Sequence, residues 1–478
     1  MPAYGRDGKL VSASKDKAGR LGRAFRDLGT TPKMSFSMQK GVDRMNIRIA
    51  TVGLAHPFEV GYEKAFDLMQ QTANSLEAVG VTCVNTKVVL ENLETVYQAV
   101  ESLKNVDVDV LMICIATWSE DHHLLDLLSF VEKPVILRAY PARDTGSLCC
   151  AHQIGAVFTD IGKKYEFIFG KPDSMDCAKK AKRIATSYSL IRCMNQVRVG
   201  AIGGRVKGMT EIAYDEFAIK QKLGARIINI DEKEMLDKVK AISDEEAMAL
   251  LQEKEPLLRP CKVTSTKESM LESMKFYGAL RALVQEYALD ALSVKCYTTY
   301  MGKVCLAYSI LAEEGIVASC EGDVTNAVTM KLLYELSGMP INNTDLLDLY
   351  DDENCILFAH CGSSGFSIAE GEVELAPVRL AETGVCSKFL VKPGMVTAVN
   401  ICGHGEQLRM AVMVGEAVSC GMDFPGNPAK IRFEKSIHQM NQEIVEQGVG
   451  HHWMIGYGNY VEELRNFCRI NEMKMYEI

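Results

Sequence analysis

Acids and imidazoles that could do chemistry together are concentrated in the second half of this chain. Gly315-Ile316-Val317-Ala318-Ser319-Cys320-Glu321-Gly322-Asp323 reads as a buried strand ending in an acid, a glycine and a second acid. A helix then runs on to Leu336 and closes at Gly338. In open α/β sheets the carboxyl ends of strands face the ligand crevice, so Glu321 sits where a catalytic or metal-binding carboxylate would be. The plainer alternative is that both acids cap the helix, whose N-terminus favours negative charge, with Asp323 the better-placed cap. Asp348 follows among apolar residues in Leu346-Leu347-Asp348-Leu349-Tyr350, and His360 ends the β run Ile356–Ala359 before a Cys-Gly turn. Gly450-His451-His452-Trp453 precedes the last helical stretch. Two carboxylates with one or two imidazoles suit Mn²⁺, Mg²⁺, Co²⁺ or Zn²⁺. Taken singly, His360 also fits a hydrogen-bonded structural histidine.

The elements that must position these residues come from hydrophobic periodicity. Ile47–Gly53, Thr82–Val89, Val108–Ala116 and Pro134–Arg138 read as strands separated by helical stretches such as Glu59–Val79. A second unit of this kind starts near Cys150. It has β runs at Val197–Ile202, Ala225–Ile230 and Ala291–Cys296, a helix reaching about Leu223, and another at Cys305–Glu313. Ser265 and Glu268 have capping-box spacing at the start of a further helix. Alternation of strand and helix implies parallel sheets covered on both faces. Beyond Asp352, short β runs at Ile356–Phe358, Lys388–Val391, Met395–Ile401, Leu408–Val414 and Ala429–Phe433 alternate with Gly and Pro, and Val461–Ile470 reads as a closing helix. The expected fold class is therefore α/β: two doubly wound α/β domains, then a smaller β-rich C-terminal domain. The divisions fall at 1–45 (a basic arm with Lys9, Lys15, Lys17, Arg20, Arg23 and Arg26), 46–149, 150–350 and 351–478. The central domain carries the metal-site carboxylates.

Composition narrows the function classes. The chain has 478 residues, 47% of them hydrophobic, and its 62 acids against 53 bases give a net charge of −9. That balance argues against a nucleic-acid partner, which needs a clustered basic face. No apolar run reaches the 18 residues of a membrane helix, and no signal-peptide core is visible, so no membrane partner is expected. The 16 cysteines form no Cys-x-x-Cys pair and often sit in apolar runs, as reduced, buried residues of a cytoplasmic protein would. Gly203-Gly204-Arg205-Val206-Lys207-Gly208 follows a strand but lacks the G-x-G-x-x-G spacing, which weakens a nucleotide-dependent oxidoreductase; a turn lining some other pocket fits better.

Together, Asp290–Tyr297, the Cys-Glu-Gly-Asp turn at 320–323, Leu-Ser-Gly at 336–338, the Asp348 segment, Ala-His-Cys-Gly at 359–362 and the terminal Gly-His-His resemble the L-fucose/L-arabinose isomerase superfamily. The order and spacing are most similar to its shorter fucose-isomerase-like branch, chiefly over about 285–365 and 447–478. The resemblance implies a three-domain fold, a divalent metal, usually Mn²⁺, and aldose–ketose isomerisation through an enediol. It makes Glu321 and Asp348 the catalytic, metal-binding carboxylates, His452 (with His451 as the alternative) the C-terminal metal ligand, and His360 a further ligand. His152 resembles a substrate-contacting histidine lent to a neighbouring subunit, which implies a homotrimer or homohexamer with sites at subunit interfaces. Tyr297, Trp118, Arg205, Lys207 and Trp453 are candidates for the pocket wall. The expected substrate is a small sugar: L-fucose, an arabinose or sulfoquinovose, for whose sulfonate Arg205 or Lys207 could serve. A non-catalytic sugar-binding protein on the same scaffold is the competing reading.

The chemistry is coherent without the family name. Moving a carbonyl from C1 to C2 requires removal of a poorly acidic carbon-bound proton. That needs a Lewis acid on the sugar oxygens and a base and an acid in differing environments.

Overall fold

The computed structural model describes residues 46–478; the basic arm at 1–45 lies outside them. The first five strands are β1 (Arg48–Leu54), β2 (Thr82–Leu90), β3 (Val110–Ile115), β4 (Val135–Ala139) and β5 (Tyr165–Phe169), all parallel in the order β2-β1-β3-β4-β5. Every residue of β3 and β4 is buried, which is why β3 reads as an unbroken apolar run and β4 as one interrupted only by Arg138. Alternate residues serve opposite faces: Val110 and Met112 join one core cluster, Leu111 and Ile113 another.

A second sheet contains β6 (Arg198–Ile202) and β7 (Arg226–Ile230). The two-residue β8 (Lys262–Val263) leaves to join a C-terminal ribbon, and β9 (Ala291–Val294) and β10 (Val317–Ser319) complete the parallel order β10-β9-β6-β7. The expected helix after the Gly203 loop is broken into a 3₁₀ turn at Thr210–Ile212, one α turn at Glu216–Ala218 and a π turn at Ile219–Leu223. The cap of helix Lys267–Tyr287 is Thr266, whose hydroxyl accepts from the Ser269 amide. Ser265, expected in that role, instead donates to the Gly384 carbonyl.

The C-terminal region contains β11 (Asn342–Tyr350), β12 (Cys355–Ala359), β13 (Ala369–Val378), β14 (Thr383–Val391), β15 (Gly394–Cys402), β16 (Arg409–Val418), β17 (Ala429–Arg432), β18 (His452–Tyr457) and β19 (Lys474–Glu477). One sheet runs β15-β18-β11-β12-β17-β16-β19, and β16 also pairs with β15. That extra pairing closes six antiparallel strands into a barrel and removes their free edges. β13 and β14 form the separate ribbon with β8. The first sheet thus extends to Phe169, past the 149/150 division, and the C-terminal sheet begins at Asn342, before 351. The α/β class is as expected: parallel sheets flanked by helices, followed by a strand-rich region.

Helix Val324–Ser337 joins these parts. It packs on β9 and β10 on one side and on β15 and β18 on the other, and all but one of its residues are buried. Its N-terminus follows the carboxyl end of β10, so the parallel sheet and the barrel meet at Glu321 and Asp323. Among the described residues, no helix is long and apolar enough to cross a membrane.

Candidate metal and active site

Glu321 occupies a tight turn after β10. Its φ of 65° is left-handed, a conformation that carbon-substituted residues adopt only when the surroundings hold it. Two bonds do so: the Glu321 amide donates to Cys296 Sγ at 3.2 Å, and the Gly322 amide donates to the Val294 carbonyl at 3.0 Å. Gly322 is required here. Its φ is 73°, and a Cβ would lie 2.2 Å from the Gly204 carbonyl oxygen. The Gly203 loop therefore presses against the turn that carries Glu321.

Two histidines of the barrel reach Glu321, and an acid beside them reaches His452. His452 opens β18, with Nε2 3.2 Å from Glu321 Oε2 and Nδ1 2.9 Å from Asp323 Oδ2. His360, just beyond β12, places Nε2 3.8 Å from Glu321 Oε1. Ligand atoms of Glu321, His360 and His452 all lie within 4.8 Å of one another, and all three residues are buried. Asp345 on β11 brings Oδ1 to 3.5 Å from His452 Nε2 and 4.0 Å from His451 Nε2. That buried oxygen accepts no hydrogen bond from the described residues. An unsatisfied buried carboxylate oxygen is costly, and a cation would satisfy it.

Charges within the cluster dominate its protonation. Burial pushes His452 down, but Asp323, Glu321 and Asp345 outweigh it and bring the imidazole to about 10. Burial also pushes His360 down, and Cys361, Asp345 and Glu321 overcome it, giving about 9. Burial raises the Glu321 carboxyl, yet the hydrogen bond from His452 and the nearby imidazoles hold it below its ordinary value. The surrounding carboxylates thus favour the protonated form of both imidazoles when no cation is bound. A divalent cation would exchange for those protons at the same donors. The donor set, borderline nitrogens with hard oxygens, fits a divalent cation such as Mn²⁺, Mg²⁺, Co²⁺ or Zn²⁺.

Asp348 does not join the group. A bulge at Leu347 shifts its strand, leaving Asp348 exposed with its Oδ1 accepting from the Leu349 amide. Asp345, three residues earlier on the same strand, is the acid that lies beside His452. Trp453 also departs from its expected place in the pocket wall. Neighbours along β18 face opposite ways, so His452 turns to the site while Trp453 is fully buried in the core behind it. Tyr297 is 38% exposed beyond the carboxyl end of β9. Arg205 and Lys207 are exposed on the Gly203 loop, with the Arg205 guanidinium donating to the Met209 carbonyl at 2.6 Å. Trp118 donates to Gln153 and lies near His56, and exposed His152 lies near Phe167, so both make their contacts around the first sheet.

Sequence reasoning missed Glu211 as well as Asp345. Glu211, on the 3₁₀ turn after the glycine loop, lies 2.6 Å from His451 Nδ1. With Asp323, Asn326, Asn400, His451 and His452, it lines a cavity of about 20 Å³. No local pattern marks Glu211, because its partner lies 240 residues away.

No protein-family model matches the chain. It is 22% identical over 437 residues to the sulfoquinovose isomerase of Priestia megaterium, covering 86% of this chain and 97% of that protein. A sulfoquinovose isomerase of Alkalicoccus urumqiensis is 24% identical over 342 residues, 70% of this chain and 76% of its own length. A third, from a Clostridium species, is 22% identical over 330 residues, covering 67% and 72%. The chain is thus a distant relative of enzymes that isomerise a sugar from aldose to ketose, and is itself an enzyme of the isomerase class.

Proposed function

We propose that this protein is a metal-dependent aldose–ketose isomerase of the L-fucose/L-arabinose isomerase type, acting on a sulfonated aldose such as sulfoquinovose. The observation that carries the reading is the convergence of buried Glu321, His360 and His452, with half-buried Asp345 beside His452, where the parallel sheet meets the barrel. These four residues would hold the ion, Mn²⁺ by the resemblance. When bound, it would supply Lewis-acid polarisation of two adjacent sugar oxygens.

The protein's own groups do the proton work. An ionised carboxylate of Glu321 or Asp345 takes the C2 proton, and the resulting enediol is reprotonated at C1. Glu321 is suited to be a base at neutral pH, since its neighbours keep it ionised despite burial. The relatives' name supports a sulfonate on the substrate, and Arg205 and Lys207 are the cations on the loop that touches the Glu321 turn. The 16 free cysteines suit the cytoplasm.

The test is turnover of sulfoquinovose, L-fucose, L-arabinose and D-arabinose with Mn²⁺ in deuterated water. Ketose carrying deuterium at C1 is expected, with sulfoquinovose the preferred substrate. Glu321→Gln should cost about 10²- to 10⁴-fold in rate. Absence of ketose from all four sugars would overturn the reading, and full retention of the original hydrogen would overturn the proton-transfer role.

A further inference from the structure

We infer that Asp323, which is not itself among the proposed ligands, is the positioning residue that turns the His452 imidazole toward the metal site. The inference rests on the metal-site reading above. Asp323 is 4% exposed and divides its two oxygens between two tasks. Oδ1 accepts from the Asn326 amide at 2.9 Å, capping helix Val324–Ser337. Oδ2 faces His452 Nδ1 at 2.9 Å and accepts from Asn326 Nδ2 at 2.7 Å.

A histidine can offer either ring nitrogen to a metal, and the hydrogen bond made by the other nitrogen decides which. With Nδ1–H committed to Asp323, Nε2 is the nitrogen that faces Glu321 and Asp345, 3.2 and 3.5 Å away, and its lone pair becomes available there when its proton gives way to a metal. The backbone of His452 is held as well, its carbonyl accepting from Asn400 Nδ2 at 2.6 Å. Ring orientation is then set by a side chain that belongs to the helix, not to the barrel strand. One carboxylate therefore locks the barrel's ligand to the parallel sheet's turn, and Asn326 holds that carboxylate in place. A residue that served only as a cap would need Oδ1 alone.

Substitutions separate the two tasks. Asp323→Ser keeps a good cap residue but is too short to reach His452. Asp323→Asn keeps a carbonyl oxygen at that distance, and Asp323→Ala removes both functions. Calorimetric titration of the chelator-stripped protein with Mn²⁺, alongside thermal melts, reads the result without any turnover. Asp323→Ser should weaken Mn²⁺ binding by about 10- to 100-fold, the usual worth of an orienting partner, and should lower the metal-free melting temperature less than Asp323→Ala, which loses the cap as well. Asp323→Asn should recover most of the affinity. Wild-type affinity in Asp323→Ser, or affinity losses that simply track melting temperature across the three variants, would overturn the inference. Wild-type protein that takes up no Mn²⁺ would overturn the metal reading and this inference with it.

Discussion

Asp345 stands directly opposite His452 in the antiparallel ladder between β11 and β18, with Oδ1 3.5 Å from Nε2. Paired residues share a face of a sheet, so this register alone commits both side chains to the site. Asp348 lies beyond the bulge, outside that pairing. Asp345→Asn should therefore weaken Mn²⁺ binding and reduce turnover by about 10²-fold or more, as loss of a charged ligand or base does. Asp348→Asn should leave both within a few-fold of wild type. Metal titration and initial rates on the two variants check this, and the reverse ranking would restore Asp348 to the site.

Gly322→Ala should uncouple the Gly203 loop from the Glu321 turn. The new methyl would meet the Gly204 carbonyl at 2.2 Å and would impose a side chain at φ 73°. Overpacking and left-handed strain each cost about 1–3 kcal/mol, so a clear fall in melting temperature is expected. Metal affinity should fall too, because Glu321 shares the displaced turn. A variant with wild-type stability would show that the loop gives way freely.

Assembly is tested by complementation. His152 is exposed on helix Ser147–Asp160, and its contact is with Phe167 of the first sheet, not with the Glu321 cluster. If it serves the site of a neighbouring subunit, active protein is a trimer or hexamer. Glu321→Gln and His152→Ala subunits, each inactive, should then regain part of the activity when mixed and reassembled. A fully active monomer by sedimentation would rule the arrangement out.

Particular residues show how far the sequence could be read. Val461–Ile470 is a helix to the residue, because its amphipathic pattern is local and strong. Strand β3 is legible because burial on both faces forces an unbroken apolar run. Glu321, His360 and His452 stand out at strand ends beside glycines, and the structure brings them together. Asp345 was hidden. Its role depends on pairing with a strand more than 100 residues away, and the Leu347 bulge breaks the period-two count that would have separated it from Asp348. Trp453 misled for a related reason: adjacency in sequence reads as adjacency in space, whereas a strand sends neighbours to opposite faces. Asp323 was visible as a cap, but its second oxygen's partner lies on another sheet.

The cluster also dictates how stability responds to pH. Without metal, His452 and His360 titrate at about 10 and about 9, above the ordinary imidazole value of about 6.5. A folded-state value above the unfolded one means protonation favours the fold. That contribution is complete below about 6.5 and is lost as pH rises through 9 to 10. Glu321 works in the opposite sense: its lowered value adds stability above the ordinary carboxylate range, and acid removes it. Chelator-stripped protein should therefore melt progressively lower from pH 7 to pH 10, by the equivalent of a few kcal/mol at roughly 1.4 kcal/mol per pKa unit. Mn²⁺-saturated protein should respond less over the same range, because its imidazoles are already neutral ligands. For the same reason, adding Mn²⁺ at pH 7.5 should release protons into a weak buffer, and its affinity should rise with pH. Paired melts at pH 7, 8.5 and 10, with and without Mn²⁺, read all of this. Stripped protein whose melting temperature is flat across that window would mean that the imidazoles are neutral without metal, and that the charge pairing described for Glu321, His360 and His452 is wrong.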